Sequence, residues 1–365
     1  MLTWLVNLLS ACWRPVQRYV RMNKGTGDDN DELMWYKDLV QHAYGDISMA
    51  VVQANASLED QSQVEVAASG TFIGIYDGHG GPQAAEYVCD HLYPHLRSLI
   101  RDHGDMSDAC IRRAFQATED EFTDYVRHSK PELLTVGACC LVGVIRGRTL
   151  HVANLGDSRA VLGSVSRNSG KITATQLTMD HNASSEEIQQ ELRSKFPEDD
   201  QIVMMKHGVW RVKGIIQVSR SIGDIYLKSP DVNMETLQGP FRLAEPVKRP
   251  VLSSEPTVDT WSLQQQDRFL IFASDGLWEH LSNQDACEIV HRHARSGVAR
   301  KLIKAALCEA ARKREVRYED LRTLEKKVRR FFHDDITVVV VFVDHELFNR
   351  QGSFRELSLR GGINC

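Results

Sequence analysis

The sequence lacks the patterns that would place it in several large protein classes. Its eight cysteines form no C-x-x-C pair, and Cys139 and Cys140 sit in an apolar run, where cysteine acts as a small hydrophobe. That speaks against a zinc ribbon and a disulfide framework, and an intracellular protein is expected. No stretch reaches the roughly 20 apolar residues of a transmembrane helix. A basic surplus is missing too: 44 Lys and Arg against 49 Asp and Glu give a net charge of −5, with no overall pull toward nucleic acid. The basic stretch over residues 299–330 lacks interleaved aromatics and reads as a solvated face. There is no internal repeat and no low-complexity tract.

What is present suits a globular chain, since 42% hydrophobic and 25% charged residues over 365 positions allow a sizeable core. Leu2, Leu5, Val6, Leu9, Trp13, Val16 and Val20 fall at helical spacing, interrupted by Pro15. Two readings stay open for this segment: an amphipathic helix on a membrane surface, or one docked on the protein's own core. The acidic stretch GTGDDNDE over residues 25–32 reads as a linker. Residues 1–32 thus read as an N-terminal segment, 33–346 as the main domain, and 347–365 as a mobile tail.

Short β-branched runs predict strands over 47–52, 71–76, 138–145, 149–154, 160–162, 214–218, 269–273 and 336–343. Apolar residues at three- and four-residue spacing predict helices over 83–101 and 107–126, then 283–293 and 299–313, with a charged extension over 315–332. Ser184-Ser185-Glu186-Glu187 reads as a capped helix start. Five of the ten prolines lie in 229–256, predicting a long surface loop. Strands and helices are grouped rather than alternating, which favours α+β architecture with antiparallel sheets over a doubly wound fold.

The chemistry lies in small acidic clusters, four of which adjoin apolar strands: Asp77-Gly78-His79-Gly80-Gly81, Gly156-Asp157, Ser274-Asp275 through Glu279, and Asp334-Asp335. Glu59-Asp60 is a fifth cluster. A carboxylate at a strand mouth is rigidly held with its head toward solvent, which suits a hard cation such as Mg²⁺ or Mn²⁺. Taken singly, each cluster has a plainer reading. Asp275-Gly276 and Gly156-Asp157 are common turn sequences, and a lone His79 is more often structural. The combination carries the signal.

These segments resemble the metal-dependent serine/threonine protein phosphatases of type 2C. The matching stretches are FIGIYDGHGG, VANLGDSRAVLG, LTMDHN, VSRSIGD, FLIFASDGLW and DDITVVVV, in family order between Glu59 and Val343. The VKGIIQVSRSIGDIYLK stretch is most similar to a plant subgroup often called clade D. The resemblance implies an α-β-β-α sandwich of two antiparallel sheets flanked by helices, with a flap over about 180–256. It implies hydrolysis of phosphoserine and phosphothreonine in proteins by a metal-activated water at a binuclear Mg²⁺ or Mn²⁺ centre, with His79 as general acid. In such a family Asp77 bridges two metals, the Gly78 carbonyl reaches one, and Asp275 and Asp334 hold the first. Glu59 supports the second, with Asp60 beside it. Asp157 and Glu279 match positions for a third, looser metal.

One departure concerns substrate. Many relatives carry an arginine four residues before the Glu of the Glu-Asp pair, gripping the substrate phosphate; here that position is Asn55. A neutral amide cannot replace a charged fork. Phosphate binding is therefore expected to rely on metals and waters, or on a replacement such as Lys206 or Arg211, and weaker activity on small phosphate esters follows. The tryptophan of the hormone-co-receptor subgroup is replaced by His207, which speaks against a co-receptor role. The subgroup resemblance implies phosphoprotein substrates that include plasma-membrane proton pumps, and small auxin-induced proteins as inhibitors. A monomer in the cytoplasm or nucleus is expected, with no nucleic-acid ligand, and with peripheral plasma-membrane contact through residues 1–24 on the membrane-surface reading of that segment. Two other readings stand beside this: a weakly catalytic binding protein, and a small-molecule phosphohydrolase.

Overall fold

The structure, a computed structural model, describes residues 31–67, 70–167, 169–243, 245–349 and 356–361. The amphipathic helix expected over residues 1–24 lies outside the described residues. Two sheets form the centre. The first runs, in spatial order, β1 (Met34–His42), β2 (Gly45–Val52), β14 (Ile336–Phe342), β13 (Asp267–Ala273), β7 (Arg159–Val165) and β8 (Ile172–Gln176). The second runs β12 (Thr257–Ser262), β6 (Thr149–Leu155), β5 (Gly137–Arg146), β4 (Gly70–His79), β3 (Asp60–Ala67) and β15 (Leu357–Gly361), with β11 (Ile222–Gly223) on the near end of β5. A separate hairpin joins β9 (Val203–Lys206) to β10 (Val209–Val212). Every pairing between these strands is antiparallel.

Period-two alternation sorts the side chains into layers. On β14, Val339 and Val341 enter the core between the sheets, whereas Val338, Val340 and Phe342 face helices. On β4, Ile73 and Ile75 point to the central core, and Phe72 and Tyr76 to the other side. Both strands are therefore buried on two faces, which is why they read as continuous apolar runs.

Helices α1 (Gln83–His103) and α2 (Asp108–Ser129) cover the second sheet. Gly104 ends α1 in a left-handed conformation with its N–H donating to the Ile100 carbonyl, and Ser107 caps α2 by accepting from the Cys110 N–H. Helix α3 (Glu186–Lys195) stands in the flap; Ser185 sits at its N-cap without a side-chain capping bond. The first sheet is covered by α4 (Asp275–Trp278), α5 (Asn283–Arg292), α6 (Val298–Lys313) and α7 (Tyr318–Arg322). Layer order is thus helix, sheet, sheet, helix, as the resemblance implied. Among the described residues, no helix is long and apolar enough to cross a membrane.

Four sequence expectations change. Residues 214–218 form no strand: only isolated bridges join Val212 to Ile216 and Asn182 to Val218, because Gly214 turns the chain back at φ 67°. The extension over 315–332 is broken into α7 and a 3₁₀ turn, Arg329–Phe331. The proline-rich 229–256 stretch is a packed strap rather than a free loop, since Val232, Leu237, Val251 and Leu252 are buried in the same core as α1 and α2. Part of the expected tail, Leu357–Gly361, is an edge strand on β3, with Leu357 and Leu359 packed against the central core.

Candidate active site

The ends of both sheets meet at one place. In the second sheet, Asp60 opens β3 directly opposite Asp77 near the end of β4, and Asp77 also faces Cys139 of β5. In the first sheet, Asp157 lies just before β7, Asp275 opens α4 just beyond β13, and Asp334 lies just before β14. The sheets are laced together here. Ser274 Oγ donates to Asp60 Oδ2 at 2.8 Å and accepts from the Thr337 N–H at 3.0 Å. Asp335 accepts three backbone N–H groups, from Ala54 (2.6 Å), Asn55 (3.0 Å) and Glu59 (2.8 Å). Asp60 and Asp335 are thus buried supports that fix the strands carrying the other carboxylates.

A cavity of about 270 Å³ opens between them, lined by Glu59, Asp77, His79, Asp157, Asp275 and Asp334 among others. Carboxylate oxygens of Asp77, Asp157 and Asp275 all lie within 4.8 Å of one another. Burial, then the neighbouring Asp275, Asp60 and Asp334 charges, push the Asp77 pKa well above the usual carboxylate range. Burial and Asp157 do the same to Asp275. Glu59 rises to about 7 through burial, with Asp335 and Asp334 adding to it. Like charges held this close resist ionisation unless a cation compensates them. Oxygen-only donors on rigid strand ends fit a hard divalent ion, and the residues present therefore fit the metal that the resemblance implies. Gly78 is needed for close packing, because a Cβ there would lie 2.6 Å from the Glu59 carbonyl oxygen.

His79 is half-buried beside this cluster, and its Nε2 lies 2.7 Å from Asp224 Oδ2. Asp224 is fully enclosed and also accepts from Ser221 Oγ at 2.6 Å. Burial disfavours the imidazolium, but the Asp224 carboxylate, with Asp157 and Glu59 adding to it, raises the His79 pKa. Asp224 ends the VSRSIGD segment that the sequence reading noted but gave no role. Its signal was an acidic residue closing a motif.

The remaining candidates are placed as follows. Asp157 Oδ2 accepts from Asn182 Nδ2 at 2.7 Å, and Cys139 Sγ donates to Oδ1. Glu279 is exposed just past α4, outside the cavity lining. Asn55 Nδ2 donates to Asp334 Oδ1 at 3.1 Å. Arg211 reaches the cavity, but its Nη1 donates to the Ile215 carbonyl at 2.7 Å. Lys206 is exposed at the tip of the β9–β10 hairpin and lines a different groove, beside Met204 and Lys213. It does not face the carboxylates, which corrects its expected place as a phosphate ligand. A cation that sequence reasoning passed over does face them: Arg330, from the stretch dismissed as a solvated face.

The chain matches the family model for protein phosphatase 2C over residues 40–317. It belongs to the protein phosphatase 2C family. The enzyme is therefore a metal-dependent serine/threonine phosphatase that acts on phosphoproteins. It is 56% identical over 375 residues to probable protein phosphatase 2C 43 of Oryza sativa subsp. japonica, covering 100% of this chain and 96% of the relative. It is 52% identical to probable protein phosphatase 2C 68 of Arabidopsis thaliana, covering 99% and 96%. Among solved structures, a serine-threonine phosphatase 2C from Toxoplasma gondii superposes with a TM-score of 0.64 at 20% identity, over 85% of this chain and 99% of that one. At that identity the likeness shows the fold, and it agrees with the layered sandwich. The high-identity plant relatives show the family well beyond the fold.

Proposed function

We propose that this phosphatase works with two Mg²⁺ or Mn²⁺ ions held by Asp77, Asp275, Asp334, Glu59 and the Gly78 carbonyl, with Asp157 able to take a third. The carrying observation is the convergence of the Asp77, Asp157 and Asp275 oxygens within 4.8 Å, beside His79. When bound, the ions supply positive charge for the phosphoryl oxygens and lower the pKa of water. The protein's own groups do the rest. Asp224 holds the imidazole of His79 through Nε2 and favours its protonated form. That leaves Nδ1 as the nitrogen that delivers a proton to the departing seryl or threonyl oxygen. Asp60 and Asp335 keep the carboxylates in register through the backbone and Ser274. Glu279, being exposed, is a lesser contributor to any third site.

The subgroup resemblance of the VKGIIQVSRSIGDIYLK stretch supports plasma-membrane proton pumps as substrates and small auxin-induced proteins as inhibitors. It also supports an intracellular location with peripheral membrane contact. The decisive experiment measures Mn²⁺-dependent phosphate release from a phosphothreonine peptide, with Mn²⁺ binding followed separately by calorimetry. Asp77→Asn should abolish turnover and weaken Mn²⁺ binding. Unchanged Mn²⁺ affinity in that variant would remove Asp77 from the metal site.

A further inference from the structure

Resting on the phosphatase reading of this site, we infer that Arg330 is the substrate-phosphate ligand of this enzyme, taking the work that Asn55 cannot do. The two residues converge on one carboxylate. Asn55 Nδ2 donates to Asp334 Oδ1 at 3.1 Å, while Arg330 Nη2 lies 2.6 Å from Asp334 Oδ2. The guanidinium therefore sits against the same carboxylate as the amide of residue 55, and Arg330 lines the cavity.

The turn that carries it is anchored from inside. Arg329 is fully buried and forms a two-pronged pair with Asp31, at 2.8 Å for both Nη1 and Nη2, while its Nε donates to His333 Nε2 at 3.2 Å. Successive residues of a 3₁₀ turn project about 120° apart. With Arg329 locked inward, its neighbour is presented outward, and the Arg330 side chain keeps 49% of its surface accessible. A guanidinium carries five donors in a planar fork that matches two oxygens of a phosphate. One nitrogen orients the group on Asp334, and the fork remains for the substrate. Arg211 also lines the cavity, but its guanidinium donates to the Ile215 carbonyl of its own turn rather than to the carboxylate that Asn55 contacts.

The test compares wild type, Arg330→Ala, Arg330→Lys and the Asn55→Arg/Arg330→Ala double variant, all with saturating Mn²⁺. KM for a phosphothreonine peptide, inhibition by inorganic phosphate, and direct phosphate and Mn²⁺ binding by calorimetry are measured. Arg330→Ala should weaken phosphate binding and raise KM about 10- to 100-fold, the range for a lost charge-assisted contact. Arg330→Lys should recover only part of this, and Asn55→Arg should restore it in the double variant. Mn²⁺ affinity should stay within about threefold throughout. Phosphate binding unchanged in Arg330→Ala overturns the inference. So does a parallel fall in Mn²⁺ affinity, which would make Arg330 a support for Asp334. Should wild type bind phosphate through Arg330 yet release none from the peptide, the roles assigned to the metal site fail and that of Arg330 stands.

Discussion

His79 and Asp224, 145 positions apart in sequence, lie 2.7 Å from each other, with Ser221 Oγ completing the support of the carboxylate. The arrangement resembles the base–orienter pair of hydrolytic triads, except that in the role proposed for His79 it readies a proton donor. Because Asp224 raises the His79 pKa, the protonated imidazole persists to higher pH than an ordinary histidine. The alkaline limb of kcat should follow that raised value, activity falling as pH climbs through it. Asp224→Asn removes the largest of the charges that oppose burial, so the limb should move to lower pH, with kcat reduced about 10- to 100-fold at neutral pH. A pH–kcat profile with an unmoved alkaline limb would detach Asp224 from the catalytic proton.

Gly137 tests the same pair from its other side. A Cβ there would stand 2.2 Å from Asp224 Oδ2 and 2.5 Å from His79 Nε2. Gly137→Ala must push the pair apart or shift β5. Since a misplacement of about 1 Å can cost 100-fold, a comparable loss of kcat is expected, with KM changed by less than about threefold. Wild-type kcat in a folded Gly137→Ala protein would show that the clash is absorbed without disturbing the catalytic work of His79 and Asp224.

Much of this site was legible in the sequence because Asp77, Asp275 and Asp334 each close or open an apolar strand. Asp77 after 71–76 and Asp334 before 336–343 are examples in which local pattern and chemistry coincide. The strands β4 and β14 were legible as β-branched apolar runs over 71–76 and 336–343. Asp224 and Arg330 were not. Asp224 sits in a left-handed turn (φ 49°) after a two-residue strand, where periodicity has nothing to act on. Arg330 looked like one charge among many. Only the burial of Arg329 against Asp31, set by residues far apart in sequence, separates it from a solvated face. The strand expected over 214–218 failed because apolar residues there close the flap turn instead of joining a ladder.

The Arg329–Asp31 pair makes a stability prediction. Both side chains are essentially inaccessible, at 0% and 1%. Removing one partner strands a buried charge, so Asp31→Ala should destabilise the protein by about 3–5 kcal/mol in urea unfolding. Because Arg329 sets the turn that presents Arg330, the folded fraction should also bind inorganic phosphate more weakly. A loss below about 1 kcal/mol would mean that solvent or another group rescues Arg329.

His42 supplies a pH prediction with a clear sign. It is buried, with Nε2 donating to the Phe342 carbonyl at 3.0 Å, which leaves Nδ1 to accept from Thr71 Oγ1 at 3.2 Å. Burial lowers its pKa to about 4. Between that value and the ordinary value near 6.5, the unfolded chain binds a proton that the folded chain refuses. The neutral His42 therefore contributes its full stability above about pH 6.5 and loses it as pH falls toward 4, by up to about 3 kcal/mol. His42→Gln has no such proton to bind. Its destabilisation relative to wild type, read from urea midpoints, should be largest at neutral pH and shrink by that amount at pH 4. A gap that stays constant across the range would mean that His42 is protonated equally in both states.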